Sequence, residues 1–191
     1  RTLQREHIGA VVKAVPQWYP DVTFGVNSVF LREDFYVDHV CLNGATDKHL
    51  ITLTVWHGDE LVGVWGSERE PDSLALWGRI VAIAPGHAGK GLTRAINQGM
   101  EEVGRRMGAA FIYALVTLKH RFMQQQLESA GYRLLGFFPG YDRELVAPGV
   151  VKRVYQAVYA KLLAPPDKVL WPDPKNMSPT ARRLYALLFP D

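Results

Sequence analysis

The sequence predicts an α/β domain built on a single mixed, mostly antiparallel sheet, on three observations. Apolar strand patterns occupy residues 50–58, 60–68 and 73–85, separated by short polar turns, the connections that join antiparallel neighbours. A glycine-rich segment, residues 86–91, opens directly into a stretch with apolar positions every three or four residues, the period of an amphipathic helix. The apolar run at residues 109–117 comes next. A helix crosses before it, so it lies roughly parallel to the strand that entered the glycine segment.

The remaining elements follow in order. Ile8, Val11, Val12 and Val15 stand at helical spacing within residues 3–15, and Pro16 closes that pattern. The next segment carries Trp18, Tyr19, Phe24, Phe30, Phe35 and Tyr36, with Asn27 or Ser28 as the cap of a second helical stretch toward Val40. His57-Gly58-Asp59 makes the connection between the first two strands, and Pro71-Asp72 precedes the third. Leu92, Ile96, Met100, Val103 and Met107 form the stripe of the helix after the glycine segment, which ends before Gly108. Residues 119–130 read as a further helix closed by Gly131, and residues 132–138 as the next strand. Residues 150–163 alternate Val151, Arg153, Tyr155, Ala157 and Tyr159 with Lys152, Val154, Gln156 and Val158. They read as a strand, and the imperfect alternation leaves a helix open.

Past Leu163 the composition changes. Residues 164–191 are proline-rich and cannot extend a sheet, so the chain divides into a domain at 1–163 and a C-terminal extension at 164–191. Ser178-Pro179 is an N-cap followed by proline, starting a short helix with Leu184, Leu187 and Leu188 on one side. Trp171 and Phe189 suit docking, either onto the domain or onto a second subunit.

With 191 residues, 48% hydrophobic and 21% charged, the chain can bury one sizeable core. No apolar stretch approaches a membrane span and the first residues lack a signal-peptide core. A cytoplasmic, reducing setting is expected, and no membrane partner. Cys41, the single cysteine, has no disulfide partner and reads as a small buried hydrophobe. No Cys/His spacing resembles a zinc site, so no metal is expected. The net charge of +3 and pI near 9.0 come from scattered pairs such as Arg105-Arg106 and Arg182-Arg183 rather than a dense basic stripe. Nucleic acid is therefore not an expected partner.

The glycine segment is built to hold phosphate. Gly86, Gly89 and Gly91 let the backbone turn its N–H groups toward one point, the helix start adds the positive end of its dipole, and Lys90 lies in the same turn. A P-loop would need glycine at Ala84 and Ser or Thr at Gly91. A dinucleotide fingerprint starting at Gly89 would need glycine at Arg94. Both patterns fail. The arrangement of Ile83, Pro85 and Ala88-Gly89-Lys90-Gly91-Leu92-Thr93 resembles the acyl-CoA pyrophosphate loop of the GCN5-related N-acetyltransferase (GNAT) family. Ala88 departs from that family's Arg or Gln and Thr93 from its last small residue; Lys90 or His87 partly replaces the missing charge.

This resemblance implies a three-layer α/β/α GNAT fold over residues 3–163, its sheet splayed at the acyl-CoA site. It implies a co-substrate, acetyl-CoA or another acyl-CoA, lying between the strands that end at Ile83 and near Val116. Pantetheine would pair with backbone at Val81, Ala82 and Ile83, and His87, Ala88, Gly89, Lys90, Gly91, Leu92 and Thr93 would surround the pyrophosphate. The implied activity is N-acyl transfer by direct attack in a ternary complex, on an amine-bearing small molecule or peptide, by a monomer or homodimer. An alkylamine of pKa about 10.4 is neutral in only about one part in 2,500 at pH 7, equivalent to about 4.6 kcal/mol, so a base is expected. The family's strand carboxylate is missing, with Trp77 and Arg79 in its neighbourhood. Glu68, His120, Tyr141 and Asp142 are the candidates that remain. The family's tyrosine acid falls on Leu127, which has no proton to give. That absence motivates a second reading, a non-catalytic acyl-CoA-binding or sensing module.

Overall fold

The computed structural model describes residues 1–189; Pro190 and Asp191, the end of the expected extension, lie outside the described residues. The strands are β1 (Val40–Cys41), β2 (Leu50–His57), β3 (Glu60–Glu70), β4 (Ala75–Ile83), β5 (Phe111–Thr117), β6 (Arg133–Ala147) and β7 (Val150–Leu162). The helices are α1 (Ile8–Trp18), α2 (Glu33–His39), α3 (Leu92–Arg106), α4 (Phe122–Ser129) and α5 (Pro179–Leu188). All strands belong to one sheet in the order β1-β2-β3-β4-β5-β7-β6. The β1–β2 and β4–β5 pairs are parallel and the rest antiparallel, as the sequence predicts for the central strands.

Alternation along the central strands sorts side chains between two cores. Val64, Ile80 and Ala82 pack with Val11, Val15, Phe30 and Tyr36 on the α1/α2 face. Trp65, Val81 and Ile83 point the other way, to Ile96, Met100 and Leu127 on the α3/α4 face. β3 is buried over seven consecutive residues because helices cover both of its faces. The result is the expected three-layer α/β/α arrangement.

Several boundaries differ from the sequence reading. Pro16 lies inside α1, and the helix survives because Tyr19 N–H reaches Val15 O at 2.8 Å beyond it while Ile8, Val11 and Val15 keep their buried stripe. Leu3 is outside the helix, its N–H bonded to Thr52 O at 2.9 Å. No continuous helix starts at Asn27 or Ser28: a 3₁₀ turn, Ser28–Leu31, is separated from α2 by extended Arg32. The strand expected at residues 132–138 extends beyond them, across residues 139–144. β6 runs on through them with a bulge between Phe138 and Asp142, and β7 is a strand paired to it on both sides of that bulge. In the extension, Ser178 Oγ accepts from Ala181 N–H at 3.2 Å and caps α5. Arg133 lies over the Phe189 ring at 5.6 Å, whereas Trp171 stays exposed.

Candidate active site

The cleft begins where two parallel strands part. β4 and β5 pair only from Ala75–Phe111 to Gly78–Ala114, after which β5 continues with β7 alone. At the same level β3 and β4 shift register, leaving Arg79 as an extra residue between Gly78 and Ile80; such bulges increase local twist and swing a strand away from its neighbour. Ala84 donates to Val62 O at 2.9 Å. Given the Gly63–Ile83 register, the hydrogen-bonded pairs are then Val62–Ala84, Val64–Ala82 and Gly66–Ile80, since bonded and non-bonded pairs alternate. Ala82 therefore uses its backbone groups on β3, while Val81 and Ile83 turn theirs toward the space β5 has left.

The strand ends at a backbone cradle. Gly89 and Gly91 have φ of +76° and +81°, a conformation that favours glycine, and α3 starts at Leu92 with no side-chain cap. Among the described residues, no acceptor meets the N–H groups of residues 89–94. Six consecutive donors and a helix dipole thus share one exposed corner, the electrostatic requirement for an oxyanion of phosphate. One further donor is unpaired. Asn97, one turn after Thr93 on α3 and only 2% exposed, lines the cleft with its Nδ2 lacking any partner. A buried amide left unbonded is costly, so this group fits a ligand carbonyl.

The cleft encloses about 270 Å³. Trp18 and Tyr19 from the end of α1 wall one side, and Tyr141, Asp142 and Glu144 from β6 reach the other. Glu144 is buried, 3% exposed, and its carboxylate accepts from Thr117 Oγ1 at 3.0 Å and Gln156 Nε2 at 3.1 Å. Lys119 Nζ stands 3.4 Å from Glu144 and 2.7 Å from Asp21. Burial pushes the Glu144 carboxyl above its ordinary range, against the opposing pull of Thr117 and Lys119. Burial also raises the Tyr19 phenol, helped by the charges of Glu144, Asp21 and Asp142. Lys119 is shared between Glu144 and Asp21, and Asp142 brings a second carboxylate to the cleft lining.

The structure separates the residues that sequence reasoning grouped. His120 lines the cleft, exposed in the turn before α4 rather than on the helix. Tyr141 lines it from the β6 bulge, its ring tilted against Phe138 at 5.6 Å. Asp142 also lines it, with Oδ1 accepting from Val26 N–H at 2.9 Å. Glu68 does not line the cleft: its carboxylate is held by the Arg79 guanidinium. Val81, Ala82, Ile83, Ala88 and Thr93 line the cleft, with Gly89, Lys90, Gly91 and Leu92 in the adjoining cradle. His87 faces elsewhere, toward Glu60 and His57. Leu127, where the resemblance implies an acid, is buried and lines the wall. Glu144 and Asn97 escaped sequence reasoning. Asn97 left one trace, a polar residue four positions after Thr93 beside the apolar stripe.

No protein-family model and no curated protein matches this sequence. Solved structures do match its fold. The ribosomal-protein-S18-alanine N-acetyltransferase of Escherichia coli has a TM-score of 0.68 at 12% identity, over 90% of this chain and 97% of that one. A mutant form of the spermidine/spermine N-acetyltransferase of Vibrio cholerae gives 0.67 at 16% identity, over 85% and 91%. An acetyltransferase from Bacillus subtilis, in complex with CoA, gives 0.60 at 16%, over 81% and 92%. The chain has the fold of the GCN5-related N-acetyltransferases.

Proposed function

We propose that this chain, which carries the GCN5-related N-acetyltransferase fold, transfers an acyl group from acyl-CoA, with acetyl-CoA the first donor to test, to an amine. The observation that carries the reading is the run of unpaired N–H groups at residues 89–94, opening onto the gap between β4 and β5. In this reading those amides hold the diphosphate, with Lys90 adding charge in place of the basic residue missing at Ala88. Val81 and Ile83 offer the free backbone groups of an unpaired strand edge to the extended pantetheine arm, and Asn97 Nδ2 donates to one of its carbonyls.

Bound acyl-CoA supplies a thioester carbon open to attack. Backbone N–H of β4 stabilises the charge that develops on the thioester oxygen. The amine must first lose a proton, and Glu144 is the group suited to accept it: a carboxylate raised above its ordinary range is a stronger base, held in place by Thr117 and Gln156. His120, at the rim, is the second candidate base. The carboxylates of Asp142 and Glu144, both lining the cleft, attract a cationic acceptor before it is deprotonated. Tyr141 is the proton donor available to the departing thiol. The N-acetyltransferases of Escherichia coli and Vibrio cholerae named above, whose names give a protein alanine and polyamines as acceptors, are consistent with this acceptor class.

The alternative, a binding or sensing module without turnover, is favoured by one observation, the apolar Leu127 where the family carries its acid. Thiol release from acetyl-CoA in the presence of polyamines, aminoglycosides and N-terminal peptides separates the two. Turnover on any of these amines supports the transferase. Tight CoA binding with no thiol release across the panel supports the module, and no CoA binding at all rejects both.

A further inference from the structure

We infer that His57, Glu60 and His87 form a binding site for a divalent transition metal, of which Zn²⁺ is the test ion. This site stands outside the cleft and does not depend on acyl-CoA chemistry. Two imidazoles and one carboxylate are a donor set Zn²⁺ accepts, with a fourth position left to water.

The sheet itself brings the three donors together. His57 and Glu60 are directly opposed where β2 turns into β3, and side chains facing each other across such a pair start about 5 Å apart at Cβ. His87 ends the 3₁₀ turn Pro85–His87 that follows β4, and β4 is anchored beside β3 by the Ala84–Val62 bond. One ligand atom from each residue lies within 4.8 Å of the others, His87 Nε2 being 3.8 Å from Glu60 Oε2. The two imidazole rings are 5.5 Å apart. Around tetrahedral zinc, with bonds of 2.0–2.1 Å, neighbouring donors sit about 3.3 Å apart. Closing from 4.8 Å therefore takes at most about 1.5 Å of side-chain movement. His57 and Glu60 are exposed, so they can supply the movement while the more buried His87 stays in place. Glu60 has no Lys or Arg partner among the described residues, leaving its charge free for a cation. A bound ion fixes His87 and, through it, the turn that leads into residues 88–93.

Calorimetric titration of ZnCl₂ into the untagged full chain tests the site, with far-UV circular dichroism as the folding control. One ion per chain is expected. His57→Ala, His87→Ala and Glu60→Gln each lower the affinity by at least about tenfold, whereas His49→Ala, elsewhere on the surface, retains it. Absence of saturable 1:1 binding, or unchanged affinity in a folded His57→Ala/His87→Ala double variant, overturns the assignment.

Discussion

Asn27 and Arg79 grip each other twice: Asn27 Nδ2 donates to the Arg79 carbonyl at 2.6 Å, and Arg79 Nε donates to Asn27 Oδ1 at 3.2 Å. Arg79 is the bulged residue at the level where β4 leaves β5, so this reciprocal contact ties the segment before the Ser28–Leu31 turn to the origin of the cleft. Arg79 also covers the Trp77 ring at 4.2 Å and holds Glu68. Asn27→Ala removes both bonds and leaves the Arg79 carbonyl half-buried without them. A loss of about 1–3 kcal/mol is expected in urea denaturation.

Glu68 belongs to this same cluster, on the far side of Arg79 from the cleft. Glu68→Gln should lower the melting temperature while leaving the pH dependence of kcat unchanged. A changed pH profile would return Glu68 to the list of bases.

Glu144→Gln should reduce kcat by about 10²- to 10⁴-fold and remove the acidic limb of the pH–rate profile, because the active form is the carboxylate. Its stability signature has the opposite sense. The folded carboxyl binds its proton more tightly than the unfolded one, so its contribution is present below the ordinary carboxyl range and lost as pH rises through the raised value. Denaturant melts between pH 4 and 8 should show the variant gaining stability relative to the parent as pH rises.

Asn97→Leu should move stability and ligand affinity in opposite directions. Removing an unpaired buried amide and introducing a better helix former stabilises the ligand-free protein, while CoA affinity falls. Thermal melts with and without CoA measure both.

Gly91→Val places a β-branched residue at φ +81°, which distorts the cradle. CoA affinity, read by calorimetry, should fall more than tenfold, with the fold checked by circular dichroism.

Local signals made most of the fold legible. Helical spacing in residues 92–107, strand alternation in residues 50–85 and the glycine punctuation between them depend only on neighbours in sequence, and the elements appear in the expected order. What escaped depended on partners far along the chain. Pro139-Gly140 reads as a turn, yet Arg153 of β7 bonds the Gly140 carbonyl at 3.0 Å and keeps the segment in the sheet as a bulge. Asn27 has the chemistry of a cap and uses it on Arg79 instead. Glu144, past the strand expected at residues 132–138, looks like any exposed surface carboxylate until Thr117 and Gln156 close over it. His57, Glu60 and His87 show no motif spacing because sheet register, not sequence distance, brings them together.

With only the Ala75–Gly78 stretch of β4 joined to β5, the molecule resembles two half-sheets sharing a short seam. A ligand that spans the open part acts as a removable stitch, so occupancy should slow hydrogen exchange at the Val81 and Ile83 amides and stiffen both halves together. Resistance to proteolysis would then follow the supply of that ligand.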